Sequence, residues 1–291
     1  MKIVKFMGGL GNQMFQHAFL VALRESCKEP IYIDLSDYER YKQHNGYELG
    51  RIFDIKNPIA RTKDIWKYTC LFRNKFLYYI YTKLSILRPS DIKERHSYLY
   101  HPEIISKHKD GYYDGFWQCY LYFHKYRELI AKEFTFPAFS ESKNIEAAAE
   151  INNDQKPVCI HVRRGDYLKT DMYKGICELD YYKDSIEYVK KALGEGVSFY
   201  IFSNDIEWCT QNIFPLTGSS KTTFVSWNVG KKSYRDLQLM TLFRGCIVAN
   251  SSFSWWAAYL NNREDKLIVA PKKWVNSPIE YKMQLPDWIL I

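Results

Sequence analysis

Apolar and polar positions fall into blocks with distinct spacings. Lys2 to Met7 reads as a strand running from edge to core. Gly8, Gly9 and Gly11 then form a tight turn, where glycine lets the backbone come close to a ligand. From Asn12 to about Glu25 the apolar positions, including Phe15, Phe19, Ala22 and Leu23, lie close to helical spacing. Pro30 to Leu35 reads as a second strand. Strand, glycine turn, helix and strand in succession predict an α/β layer.

Thr62 to Arg95 changes character. It is rich in Lys, Arg, Tyr, Phe and Leu and has few turn signals. It predicts an insertion into the first domain, with one or two helices over Trp66 to Leu87. Its basic-aromatic composition suits an acceptor-facing or membrane-skimming surface. A solvated helical insertion packed by its own aromatics fits as well. Gly111 to Gln118 reads as a short aromatic strand or loop, and Tyr120 to Phe134 and Glu141 to Ile151 as helical. The polar run Asn152 to Lys156 is the expected boundary, giving domains 1–154 and 155–291. The last residues are expected to pack back on the first domain.

The second half alternates more cleanly. Strands are predicted at Val158 to Val162, Val197 to Phe202, Thr223 to Ser226, Cys246 to Ala249 and Leu267 to Ala270. Helices fall at Leu179 to Leu193, Ile206 to Gln211, Tyr234 to Arg244 and Phe253 to Leu260. This pattern predicts a mostly parallel, doubly wound sheet. Such sheets bind ligands beyond the C-terminal ends of their strands. Arg163, Asn204 and Ser251 then share one rim.

The 291 residues, 46% hydrophobic, suffice for one large or two ordinary domains. The formal charge of +8 favours an anionic ligand or surface. No long basic run or nucleic-acid module accompanies it, so nucleic acid is not an expected partner. There is no signal-peptide pattern and no stretch approaching a membrane helix. Seven scattered cysteines without a CxxC pair read as core residues in a reducing compartment. A cytoplasmic protein is expected, touching membrane only peripherally if its substrate is membrane-linked. Nothing in the pattern fixes an oligomeric state.

The motif HVRRGDY, His161 to Tyr167, follows the apolar run Pro157 to Ile160. Paired arginines at the end of a buried strand are expensive to hide unless an anion meets them. Guanidinium forks match phosphate oxygens bidentately. A phosphate-bearing ligand is one reading; an ion pair among Arg163, Arg164 and Asp166 is the other. Gly8 to Gln13 (GGLGNQ) matches neither the dinucleotide fingerprint nor a P-loop. It suits a backbone hollow for a sugar or phosphate, with Asn12 and Gln13 offering amides, or an ordinary turn with Asn12 as helix cap. In Phe202 to Asp205 (FSND), Asp205 suits ribose hydroxyls or a base edge, and also a helix cap. Ser251 to Trp256 (SSFSWW) gathers hydroxyls and backbone N–H groups for a second phosphate seat. At least one of Trp255 and Trp256 is expected in the core. Metal chemistry is poorly provided for: there is no HExxH, and two arginines oppose a cation near His161 and Asp166. G-x-S-x-G is also missing.

GGLGNQMFQHA, HVRRGDY, FSND and SSFSWWAAYL, in this order, resemble glycosyltransferase family 11, the α-1,2-fucosyltransferases, particularly the bacterial ones. The likeness runs from Lys2 to about Pro271 and is weakest over Thr62 to Arg95. The HxRRxD core is shared more widely with α-1,6- and protein O-fucosyltransferases. The resemblance implies a GT-B fold, two Rossmann-like α/β domains facing a cleft. It implies GDP-β-L-fucose as donor, an inverting reaction, the 2-hydroxyl of a terminal β-galactoside as acceptor, and neither metal nor cofactor. Arg163, Arg164, Asn204, Asp205, Ser251, Ser252, Phe253 and Ser254 would form the donor pocket, with Asp236 reading guanine. Gly9, Gly11, Asn12 and Gln13 would touch fucose or acceptor. Arg163 is expected on the β-phosphate. Asp166 is expected as general base or organiser of Arg163, with His161 shaping the site. A role in O-antigen, capsule or similar glycan synthesis follows from the bacterial members. The alternatives are a nucleotide or polyanion binding module without transfer chemistry, or a transferase using another sugar nucleotide.

Overall fold

The opening block folds as its spacing predicts. In the computed structural model, which describes residues 1–40, 44–69, 91–94, 98–279 and 281–291, β1 (Lys2–Lys5) gives way to the glycine turn and the helix Leu10–Cys27. β2 (Ile31–Asp34), β3 (Asp91–Lys93) and β4 (Gly111–Asp114) complete a parallel sheet of order β2-β1-β4-β3. The helix Leu10–Cys27 is buried nearly all round, Gln13, Gln16 and His17 included, as befits a helix enclosed by its own unit. It stops at Lys28, whose left-handed φ of 55° turns its N–H back to the Arg24 carbonyl at 2.7 Å.

Two expectations change here. Of the inserted helices, Thr62–Thr69 is present, while the rest of the span, residues 70–90, lies outside the described residues. Asp91–Lys93, read as part of that insertion, is a strand. Tyr120 to Phe134 is not one helix but two 3-10 turns, Tyr120–Tyr122 and His124–Tyr126, followed by the helix Arg127–Glu133. The reason is aromatic packing: Tyr122 meets Phe19 edge-on at 5.4 Å and Trp117 at 6.0 Å. Those contacts outweigh the small differences in helix propensity.

The second half contains β5 (Pro157–Val162), β6 (Ser198–Ser203), β7 (Thr222–Val225), β8 (Gly245–Ile247), β9 (Leu267–Ala270) and a terminal β10 (Ile289–Leu290), which the sequence pattern did not reveal. All pairings are parallel, in the order β10-β9-β8-β5-β6-β7. Every residue of β5 is buried, as in a central strand with helices on both faces. Val158, Ile160 and Val162 pack with Tyr182, Ile186, Val189 and Ile213 from flanking helices and loops. Trp255 and Trp256 are both fully buried.

The chain divides between Thr135 and Phe136 rather than near Asn152. The cause is the helix Ser142–Asn153, which is pinned to the second unit: Asn144 Nδ2 donates to Asn228 Oδ1 at 2.9 Å, and the hydroxyl of Ser198 bonds Asp154. Arg235, buried at the start of the helix Tyr234–Met240, donates to the carbonyls of Pro137 (2.8 Å) and Ala138 (3.0 Å). Near the C-terminus only Tyr281–Met283 group with the first unit; Gln284–Ile291 stay with the second. No helix among the described residues is long and apolar enough to cross a membrane.

Close packing of the second sheet gives a first prediction. Gly245 sits beside Val158 in register, and a Cβ there would lie 2.8 Å from Val158 Cγ2. Val158 is β-branched and fully buried, so it has little room to yield. Gly245→Ala should therefore cost about 1–3 kcal/mol, read as a lowered guanidinium midpoint with unchanged slope.

Candidate functional site

The second sheet winds in one direction through β5, β6 and β7, then returns to the far side of β5 with β8. Its order therefore reverses between β5 and β8. In open α/β sheets that point opens a crevice beyond the strand ends. Arg163 follows β5 directly, and the segment leading to Ser251 follows β8.

The loop after β5 is held by a clasp. The backbone N–H of Arg164 donates to Asn204 Oδ1 at 3.0 Å. Gly165 takes φ +64°, and a Cβ there would meet Asn204 Nδ2 at 2.8 Å, so the turn and the close approach both call for glycine. The Arg164 guanidinium lies 3.9 Å from the ring centroid of Trp208, with Nε 3.4 Å from the Asp205 carboxylate. Asp205 also caps the helix Ile206–Asn212, accepting from Trp208 N–H at 3.1 Å. Arg164, Asn204 and Asp205 thus build the rim. Sequence reasoning missed Trp208, although an aromatic three residues past a helix cap beside an arginine loop is a usable signal.

Arg163 is held differently. Its Nη2 reaches both Asp166 oxygens, at 2.8 and 3.0 Å, and its guanidinium lies 5.4 Å from the Tyr167 ring centroid. The ion pair among Arg163, Arg164 and Asp166 is thus realised only between Arg163 and Asp166. Asp166 is 60% exposed, and an exposed pair contributes only about 0–1 kcal/mol. A hydrogen bond to a charged group in a shielded site contributes about 1.5–3 kcal/mol. A phosphate would therefore compete well for this fork.

His161, on β5, is buried. Burial, and secondarily the Arg163 charge, push its imidazolium down to about 3, so it is neutral near pH 7. Its ring lies 5.9 Å from that of Phe253, and Nδ1 has no hydrogen-bond partner. Ser251 caps the helix Ser252–Leu260 by accepting from Phe253 N–H at 3.4 Å. Ser254 is fully buried, its hydroxyl donating to the Ala249 carbonyl at 3.2 Å, so its role is to shape the turn. Burial pushes the Tyr167 phenol up to about 12, with Ser251 as an opposing hydrogen-bond partner. Tyr167 also stacks on Tyr173 at 4.5 Å. Neither tyrosine was singled out from sequence. The structure thus gathers the arginine loop, the Asn204 end and the Ser251–Phe253 helix opening.

Asp236 belongs to a separate cluster of the same unit. It accepts from Asn228 Nδ2 at 2.8 Å, and Asn228 in turn pairs with Asn144. Burial raises its carboxyl to about 7, against the pull of the Asn228 amide. In the first unit, Gly9 rather than Asn12 is the helix cap, and its carbonyl accepts from the N–H groups of Asn12 and Gln13, both at 3.0 Å. Gly11 is buried in the first turn of that helix. Asn12 Oδ1 accepts from Gln118 Nε2 at 2.7 Å. Gln13 is fully buried, donating to the Gly8 and Gly46 carbonyls and accepting from Glu48 N–H. Its amide is used inside the unit rather than offered outward. Among the described residues, no group of three or more His, Cys, Asp or Glu converges as a metal site would require.

Known proteins resemble this chain in sequence and in fold. An α-1,2-colitosyltransferase from Escherichia coli is 33% identical, covering 94% of this chain and 91% of its own length. A galactoside α-(1,2)-fucosyltransferase from Oryctolagus cuniculus is 24% identical, covering 98% of this chain and 75% of its own. Among solved structures, the NodZ α-1,6-fucosyltransferase soaked with GDP-fucose superposes with a TM-score of 0.53 at 13% identity, covering 89% of this chain and 92% of its own. That likeness gives the fold, an α/β architecture of the GT-B type. The family model for glycosyl transferase family 11 matches residues 1–291. Matched by that family model along its whole length, the chain belongs to glycosyltransferase family 11.

Proposed function

We propose that the protein transfers L-fucose from GDP-β-L-fucose to the 2-hydroxyl of a terminal β-galactoside, inverting the linkage to an α-1,2 bond. One observation carries the reading: Arg163 stands at the sheet's reversal point, its charge paired with the exposed carboxylate of Asp166 and its guanidinium beside the Tyr167 ring. Its fork turns from Asp166 to the β-phosphate, where negative charge grows as the glycosidic bond breaks. A pre-oriented cation stabilises that charge more than the ground state. Asp166 organises the arginine. The opening of the helix Ser252–Leu260 seats phosphate oxygens through Ser251, Ser252 and Phe253. Neutral His161 shapes the site without adding charge. Arginine and helix end together neutralise the diphosphate, so no divalent metal takes part.

Asp236 reads the guanine N1 and N2 donors, which a carboxylate accepts and an adenine edge does not supply. Gly9, Gly11 and Asn12 serve the fucose or acceptor side. The enzyme works in the cytoplasm, with peripheral contact where the glycan is membrane-linked, and contributes to a surface polysaccharide such as O-antigen. The α-1,2-colitosyltransferase relative supports a second reading, the same linkage made with colitose. Membership in a transferase family weighs against a non-catalytic binding module.

Incubation with lactose and GDP-fucose in EDTA should give a fucosylated product by mass. GDP binding without product from several β-galactosides would point to another donor or to a binding role. Arg163→Lys keeps the charge and loses the fork; its kcat should fall about 10²–10³-fold, and near wild-type turnover would remove Arg163 from the reaction. Asp236 offers a pH test. Guanine binds the ionised carboxylate, so GDP affinity should weaken as pH falls through about 7, by up to about tenfold per unit. Calorimetry should find this dependence, and the preference for GDP over ADP, lost in Asp236→Asn.

A further inference from the structure

The chain leaving β7 passes Trp227 and Asn228 on its way to Asp236, which lies in the first turn of the helix Tyr234–Met240. Two buried asparagines stand behind that carboxylate. Asn144, on the helix Ser142–Asn153, is fully buried, and Asn228 is 6% exposed. Burying an amide costs free energy unless its hydrogen bonds are met. An apolar pair of the same shape would hold the helix as well. The two amides therefore call for a reason beyond packing.

Their bonds form a directed chain. Asn228 Nδ2 donates to Asn144 Oδ1 at 2.9 Å, and Asn144 Nδ2 donates back to Asn228 Oδ1 at 2.9 Å. Such a pair bonds equally well if oxygen and nitrogen are exchanged in both amides, so its ends decide the direction. Trp227 Nε1, which can only donate, bonds Asn144 Oδ1 at 2.8 Å. Glu141 Oε2, an acceptor, lies 3.5 Å from Asn144 Nδ2. With Asn144 fixed, Asn228 must turn Nδ2 toward Asn144 Oδ1. The same nitrogen then reaches Asp236 Oδ1 at 2.8 Å.

The charged groups nearby are already paired. Arg235 directs its guanidinium to the Pro137 and Ala138 carbonyls and to Glu141, with Nε 3.1 Å from Oε2. Lys232 also pairs with Glu141, at 3.5 Å, and Lys143 lies over the Trp227 ring. Among the described residues no ion pair reaches the Asp236 carboxyl. Burial raises it to about 7, and the Asn228 amide opposes the rise. A carboxylate has about four lone-pair sites. Asn228 takes one and leaves both oxygens able to accept. Were its amide reversed, an oxygen would face Oδ1 and favour the protonated acid, which loses an acceptor.

We propose that Asn144 and Asn228 are positioning residues for the guanine base: they hold an N–H rather than an oxygen against Asp236, so that its carboxylate meets N1 and N2 as an acceptor pair. The inference rests on the reading of Asp236 as the guanine contact. Both asparagines act through Asp236 and not on the base itself.

Asn228→Leu removes the amide at similar volume. A hydrogen bond to a charged group is of the size that moves a carboxyl by about one to two pH units. The midpoint at which GDP affinity falls on acidification should rise from about 7 by that amount, and affinity at pH 7 should fall at least about tenfold. ADP, whose diphosphate titrates alike, is the control and should stay within about twofold. An asparagine with a merely structural role would weaken both nucleotides together and leave the midpoint in place. Asn144→Leu frees Asn228 to turn and should move the midpoint the same way. Either variant with a wild-type midpoint and GDP preference overturns the role of its asparagine. Wild-type protein carrying nitrogen-labelled asparagine gives a readout that needs no variant to fold. One side-chain amide should titrate with the GDP midpoint, and the absence of such an amide overturns the proposal. If Asp236→Asn keeps the preference for GDP over ADP, the guanine reading falls and the asparagines with it. If Asp236→Asn loses that preference while both asparagine variants keep it, the asparagines alone fall.

Discussion

The second unit depends on the burial of one strand. β5 is closed on both faces along its whole length, so its hydrogen-bonding groups must be met by neighbouring strands, and they are met by β6 and β8. That central place makes β5 the strand at which the winding reverses. The two arginines then follow as the chain leaves the sheet. One is folded back onto Trp208 and Asp205; the other meets the exposed carboxylate of Asp166 and the Tyr167 ring. The division of labour between adjacent, chemically identical residues comes from what each meets on leaving the strand.

Much of this was legible in the sequence where local and tertiary preferences agree. The strands after residue 157 and their intervening helices are short apolar runs with helical spacing between them, and the structure places them to within one or two residues, except that the helix expected over Tyr234 to Arg244 ends at Met240. The arginine, FSND and SSFSWW motifs fell at strand ends, because polar side chains can leave a parallel sheet only there. The failures share a cause. Asp91–Lys93, Ile289–Leu290 and the 3-10 turns at Tyr120–Tyr122 and His124–Tyr126 are fixed by partners distant in sequence. A strand of two or three residues carries too little periodicity to be seen before its neighbour is known.

The misplaced boundary teaches the same lesson. Asn152 to Lys156 looks like a linker because it is polar, yet Asp154 bonds Ser198 and caps the approach to β5. The segment Phe136 to Glu141 carries the real transition. Its backbone carbonyls are bound by Arg235, nearly a hundred residues later. No local pattern announces such a partner. Glu94 was passed over for a related reason. As one acidic residue in a mostly basic stretch it reads as a solvated surface charge, and the Phe116 and Trp117 N–H groups reveal otherwise.

The buried carboxyl of Glu94, met by backbone N–H groups of Phe116 and Trp117, also bears on how firmly the protein is folded. A carboxyl whose folded value lies at about 7 rather than 4.5 binds its proton more tightly in the native state than in the unfolded chain. Its contribution to stability is therefore complete below about pH 4.5 and is lost as pH rises through 7. The ionised form, able to accept a proton, is the less stable by about 3 kcal/mol, a large share of the roughly 5–15 kcal/mol that holds a domain together. An apolar residue there would leave the Phe116 and Trp117 N–H groups without their acceptor, at a cost of about 1–3 kcal/mol for each buried donor. The fold around Glu94 therefore tightens as the solution turns acid, the opposite of what a carboxylate held in an ion pair does.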